Sequence, residues 1–216
     1  MPAPHPLAAL LVGAAGGRFP PADGGWRRVP PWRAGLEAVV AFTGHAVLAV
    51  DDDRDDERLR ALGVDGTGGA HHPRVVSALA GAGGWIDSLD AVLVARGTGR
   101  GGPLVERADL QDHPRVTFAT ALRDDVRVLG PPDGGRSAVA VLGAGIAGLT
   151  ELSFELEPSH RGRGAGAALV AAALDAVPAG EPVLSAVAPG NAASLRALLR
   201  AGGVPVGSVQ LFRRSR

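Results

Sequence analysis

The stretch ELSFELEPSHRGRGAGAALVAAALDAVP, residues 151–178, constrains the fold more than any other part of the 216-residue chain. Its first seven residues alternate, with Leu152, Phe154 and Leu156 on one face and Glu151, Ser153, Glu155 and Glu157 on the other. A period of two belongs to a half-buried strand. The strand runs into Pro158, and Arg161, Gly162, Arg163, Gly164, Ala165 and Gly166 follow. An Ala/Leu/Val run then continues to Pro178 and predicts a helix. A Gly-rich turn between a strand end and a helix start is a ready anion cradle. Glycines let the backbone approach closely, first-turn N–H groups lack helical partners, and the helix dipole favours negative charge. Arg161 and Arg163 add positive charge at the same mouth.

A second glycine run competes for that role. VAVLGAGIAGL (139–149) carries Gly143, Gly145 and Gly148 in the spacing of a dinucleotide-binding turn. Such a turn must open a helix and needs an acid about 20 residues on for the ribose. Here the run opens the alternating strand, and no Asp or Glu lies between Glu157 and Asp175. A dinucleotide-dependent oxidoreductase is therefore the weakest reading, and the glycines are expected to make a hairpin connection, where a positive φ costs glycine little.

Composition narrows the chemistry further. The 22 cationic side chains balance 22 acids, and all 22 are arginine. Nothing favours nucleic acid or an anionic membrane as the main partner. The absence of Cys removes disulfides, thiol nucleophiles and thiolate metal sites. The absence of Lys removes a Schiff base, and the absence of Tyr removes a phenolic acid. The apolar stretch 7–15 predicts a helix but falls short of the roughly 20 residues that span a bilayer. A soluble, cytoplasmic chain, monomeric or homodimeric, is expected.

Residues 35–50 predict one or two strands around Thr43-Gly44, and 51–62 an acidic loop and a short helix. The pair His71-His72 lacks a spaced partner for a metal, and no metal site is expected. HPRV occurs at 72–75 and 113–116, each time before an expected helix, where proline suits the first turn. A strand ends near Gly97, and TGRGGP (98–103) forms a flexible joint. Strands are then expected at 126–129 and 137–142, and the closing RRSR as a solvated tail.

At 151–166 the chain resembles the central motif of the GNAT superfamily of N-acetyltransferases. That signature is Arg/Gln-x-x-Gly-x-Gly/Ala after a strand, matched by Arg161, Gly164 and Gly166. PVLSAVAPGNAASLRALLRAGGVPVGSVQLF (182–212) continues in register as strand, loop, Asn191 at a helix start, helix, Gly pair and strand. The resemblance covers about residues 113–216, with 90–96 as the family's first strand. It implies an α/β (α+β) fold with a mixed, mostly antiparallel central sheet flanked by helices. A GNAT-like domain at 101–216 would then follow an N-terminal region, 1–100, of unassigned type: a degenerate copy of the same fold, or a lid.

The resemblance also implies a function. Acetyl-CoA would place its pyrophosphate on the backbone of Arg161–Gly166 and its pantetheine arm against Leu156 and Glu157, with Asn191 and Ser194 as further contacts. A primary amine of a small molecule or peptide would attack the thioester directly. Glu155 is the first candidate for the base that takes the ammonium proton, and Glu151 the second; the family's base often sits earlier, where Gly148 stands. The family's Tyr acid is replaced by Leu198, and the Phe of its usual Gly-Phe by Gly203, a change expected to loosen packing. A non-catalytic acyl-CoA-binding or sensing domain is the alternative.

Overall fold

The computed structural model describes residues 3–53, 55–133 and 135–215. The patterned stretches become elements in the expected order. In chain order these are α1 (Pro6–Ala15), β1 (Trp26–Val29), β2 (Glu37–Phe42), β3 (His45–Ala49), α2 (Asp56–Ala61), α3 (Pro73–Ala80), β4 (Trp85–Arg96), β5 (Val105–Glu106), α4 (Pro114–Leu122), β6 (Asp124–Gly130), β7 (Ala138–Ala144), β8 (Thr150–Leu156), α5 (Ala165–Asp175), β9 (Pro182–Val187), α6 (Ala192–Arg200) and β10 (Val204–Arg213). Most pairings are antiparallel, with β1–β3 and β8–β9 parallel. No described helix is long and apolar enough to cross a membrane.

The chain forms two compact units. One runs up to Val92 and resumes at Val206, and the other is Leu93–Pro205. The sequence boundary at residue 100 thus falls inside the second unit, and the end of the chain belongs to the first. Strand β10 pairs with β2 from Ser208↔Ala41 to Phe212↔Glu37. The β2–β3 hairpin turns at Thr43-Gly44, where Gly44 has φ +68°. Val39, Leu48, Val75, Leu79 and Phe212 build the core of this unit.

One local expectation in the first unit changes. Within the tail, Arg214 and Ser215 are anchored rather than solvated, while Arg216 lies outside the described residues: Arg214 bonds both Glu37 and Asp53, and the Ser215 N–H donates to the Ala80 carbonyl. These carboxylates hold the guanidinium firmly protonated, raising its pKa. The two adjacent histidines serve separate ends. His72 caps α3, whereas His71 lies 3.0 Å from the Ser208 hydroxyl. Burial pushes the His71 ring down to about 4, so it is neutral at physiological pH.

In the second unit β5, β6, β7 and β8 pair antiparallel in that order. Helix α4 covers one face, where Leu110, Val116 and Ala119 meet Val128, Val139 and Val141. The Phe154 and Leu156 side chains lie on the opposite face, against α5. Leu169, Val170, Ala173 and Leu174 are the buried side of α5. Gly203 does not loosen the packing: a Cβ there would lie 2.9 Å from the Leu198 carbonyl oxygen, so the backbone already fills the space.

Helix starts follow a rule with one exception. The rings of His5, His72 and His113 accept from the N–H two residues on, each with proline at the first helical position. Asp55 caps α2 and Asn191 caps α6. Among the described α-helices only α5 begins without a side-chain cap.

Candidate active site

The exception marks the cleft. Gly162, Arg163 and Gly164 have φ +93°, +48° and +84° in succession. Such consecutive left-handed residues turn neighbouring N–H groups toward one side as a nest. The amides of Gly162, Arg163, Gly164, Gly166 and Ala167 donate to no protein acceptor among the described residues, whereas Ala165 N–H bonds the Gly162 carbonyl. Helix α5 therefore starts with open donors on an exposed loop. A side chain at Gly162 or Gly164 would meet no protein atom within 4 Å, so the glycines answer to φ rather than to crowding.

Gly166 has a different reason. A Cβ there would lie 3.2 Å from the Ala197 Cβ and 3.6 Å from the Phe154 ring. Its missing side chain lets α5 approach α6, and ligand approach is not what requires it. Helix α6 presents Ala193, Arg196, Ala197 and Arg200 at the spacing of one helical face. These residues, the loop and the end of β8 enclose a cleft of about 490 Å³.

Arg115, Arg161, Arg163, Arg196 and Arg200 line that cleft, with Glu155 as its one acid. A polyanion is the ligand such a wall recognises. Sequence reasoning found Arg161 and Arg163 and missed the other three. Arg196 and Arg200 were discoverable, being four apart with small residues beside them on a helix that follows the loop. Arg115 was not, because it comes from 40 residues before its partner Glu155.

Beside the cleft the sheet opens. The parallel β8–β9 ladder pairs Thr150↔Val183 and Glu151↔Leu184, and it continues no further among the described residues. At the first missing rung the Ser185 hydroxyl donates to the Leu152 carbonyl at 3.0 Å, satisfying an acceptor that the next rung would have used. The Glu157 N–H donates to Ser137 on the β7 side. By alternation, the N–H groups of Phe154 and Leu156 face the opened β9 side.

The expected site residues divide accordingly. Leu156, Arg161, Gly162, Arg163, Gly164, Ala165, Gly166, Asn191, Ser194 and Glu155 all line the cleft. Asn191 also caps α6, its Oδ1 accepting from the Ser194 N–H at 3.1 Å. Arg161 reaches back so that its Nε donates to the Leu156 carbonyl at 2.9 Å, which fixes the loop to the strand end. Glu157 stands outside the lining, with its N–H engaged and its side chain exposed near His160.

Glu151 is also outside the cleft. It is buried, and its Oε1 lies 2.5 Å from Arg123 Nη2. Its Oε2 accepts from the Ile146 N–H at 3.2 Å. Both oxygens are taken up by donors of the chain itself, and neither faces the cleft. Leu198, at the place of the missing Tyr, is buried and points away from the lining.

No family model matches the chain, and no curated protein does. Solved structures similar to it include an acetyltransferase from the GNAT family of Colwellia psychrerythraea, at 13% identity and TM-score 0.39, over 61% of this chain and 57% of that one. A GCN5-related N-acetyltransferase from Kribbella flavida is similar at 18% identity and TM-score 0.41, over 67% and 65%. A functionally unknown conserved protein from Staphylococcus epidermidis is similar at 13% and 0.42, over 67% and 68%. These likenesses concern the course of the chain alone. The second unit itself consists of an antiparallel run, a strand ending in the Gly-rich loop, a helix, a parallel strand that parts from its neighbour, and an Asn-capped helix.

Proposed function

We propose that this chain is a cytoplasmic, acetyl-CoA-dependent N-acetyltransferase that acylates a primary amine by direct attack. The observation that carries the reading is the uncapped start of α5. Five open amides lie at the mouth of a cleft that five arginines line. The donor set fits the acyl donor, whose pyrophosphate is the kind of anion a helix N-terminus and nest recognise. In this reading the amides of 162–167 hold the pyrophosphate. Arg163, Arg196 and Arg200 supply further positive charge. The parted strands β8 and β9 offer unpaired backbone to the amide-rich pantetheine arm.

The chemistry asks little more of the protein than positioning and one proton transfer. The Leu156 N–H, or that of Phe154, polarises the thioester oxygen. Glu155, half-exposed at the strand end, takes a proton from the ammonium directly or through water. The amine nitrogen then bonds the carbonyl carbon and the C–S bond breaks. The thiolate leaves and takes its proton from solvent, consistent with a chain that has no Tyr.

Titration of the purified chain with acetyl-CoA, NAD and FAD tests this, together with thiol release over a panel of amines. The expected result is acetyl-CoA binding, thiol release, and a fall in kcat in Glu155→Gln of at least about a hundredfold, the lower end of the range for a positioned base. Acetyl-CoA binding without thiol release for any amine would instead make the domain an acyl-CoA sensor. Binding of NAD or FAD alone would end both readings.

A further inference from the structure

Resting on that function, we infer that the acceptor is a free α-amino acid, held by Arg115 and Glu155 as a zwitterion. Arg115 projects from the first turn of α4 to the end of β8, and its Nε lies 3.3 Å from Glu155 Oε2. The contact is single and long for a charged pair. It leaves both terminal nitrogens of Arg115, and Oε1 of Glu155, without a protein partner among the described residues. The two side chains are 34% and 38% exposed and both line the cleft. A pair so placed contributes little to folding. Its free valences are what a ligand meets.

Those valences have a definite shape. Arg115 offers a planar fork that matches a carboxylate with two parallel hydrogen bonds. Directly beside it, Glu155 offers the acceptor for an ammonium group. An α-amino acid carries its two opposite charges on one carbon, so one molecule reaches both. A simple amine would use Glu155 and leave the fork idle. The remaining arginines of the lining belong to the loop and to α6, on the cradle side. Arg115 is the lining arginine that pairs with Glu155, whereas Arg161 spends its Nε on the Leu156 carbonyl.

The geometry also sets the reaction. The ammonium, bonded to Glu155, gives up one proton to that carboxylate and the nitrogen attacks the thioester carbon. The nitrogen's second proton is lost after attack and reaches the leaving thiolate through water, so the products are the N-acetylamino acid, the CoA thiol and the one proton that Glu155 returns to solvent. The amino acid's carboxylate is unchanged and stays on Arg115.

The test compares L-alanine, L-leucine, L-phenylalanine and L-glutamate with their α-carboxamides, using the full chain, acetyl-CoA and thiol release. We expect kcat/KM at least about tenfold higher for each acid than for its amide. Arg115→Gln should erase that difference through KM for the acids, and Arg115→Lys should restore part of it. Equal use of acids and amides, or an Arg115→Gln effect that is the same on both, would overturn the inference while leaving acetyl transfer standing. Direct titration of each acid and amide into the protein without acetyl-CoA gives a readout independent of turnover. Acid binding that weakens in Arg115→Gln supports the zwitterion site. Amide binding as strong as acid binding refutes it. Failure to bind acetyl-CoA would count against the cradle and not against this pair.

Discussion

Two glycine runs lie within 24 residues of each other, at 143–148 and 162–166; the first surrounds a carboxylate, and the second leaves its amides open. In the first the anion is the chain's own. The Ile146 N–H donates to the Glu151 carboxylate, and a Cβ on Gly145 would lie 2.0 Å from Glu151 Oε2. Arg123 closes the other side, also bonding the Ser153 hydroxyl. The bare Cα of Gly145 is there because a carboxylate already occupies the room. In the second run no side chain fills the space and the amides stay open. The same residue type thus serves a closed internal clasp in one place and an open external cradle in the other. The difference lies in whether a carboxylate of the following strand folds back.

Breaking the clasp should have the largest effect. Gly145→Val drives the Glu151 carboxylate away from Ile146 and from Arg123, leaving a buried guanidinium whose Nε already has no partner among the described residues. Removing one member of a buried ion pair costs about 3–5 kcal/mol. Glu151→Gln should act similarly. Urea unfolding of both variants measures this, and a midpoint within error of wild type would show that the clasp is not what holds the turn. Glu155→Gln, in the half-exposed pair, should leave the same midpoint nearly unmoved.

Breaking the cradle should spare the fold and abolish binding. A Cβ at Gly164 meets no protein atom within 4 Å, so the main structural cost of Gly164→Val is the left-handed φ, about 1–2 kcal/mol. Its branched side chain projects where a phosphate would approach the backbone. We expect acetyl-CoA affinity to fall at least about a hundredfold, equivalent to about 2.7 kcal/mol, with the far-UV circular dichroism unchanged. Calorimetry that finds wild-type affinity would make the loop a structural turn like the first.

The contrast was only half legible in the sequence. Period two in residues 151–156 separated a strand-opening run from a helix-opening one, because strand periodicity is local. The places of the loop between strand and helix, of Asn191 at a helix start and of Glu155 on the polar face of its strand were readable because they too are local. The role of Glu151 was not, since its partner Arg123 stands 28 residues earlier and meets it through sheet pairing. Arg115 escaped likewise. Gly166 and Gly203 looked like a ligand glycine and a packing defect, but each is explained by a neighbour brought up by tertiary contacts, Ala197 and the Leu198 carbonyl. The two compact units do not divide at residue 100, because β10 returns to pair with β2, a choice among strand partners that no local pattern encodes.

The smallest effect concerns the one residue that serves both patterns. Asn191 closes α6 as the clasp closes its turn, yet it lines the open cleft beside the cradle. Asn191→Ala should lose the cap, about 1 kcal/mol. Asn191→Asp keeps the acceptor for the Ser194 N–H and favours the helix dipole, so stability should hold or rise slightly. The added negative charge faces the arginine wall where a polyanion is to bind. If Asn191 borders that ligand, Asn191→Asp should weaken acetyl-CoA severalfold more than Asn191→Ala does, and the gap should shrink in high salt. If Asn191 is a cap and nothing else, Asn191→Asp should bind at least as well as Asn191→Ala, and the cradle then ends at α5.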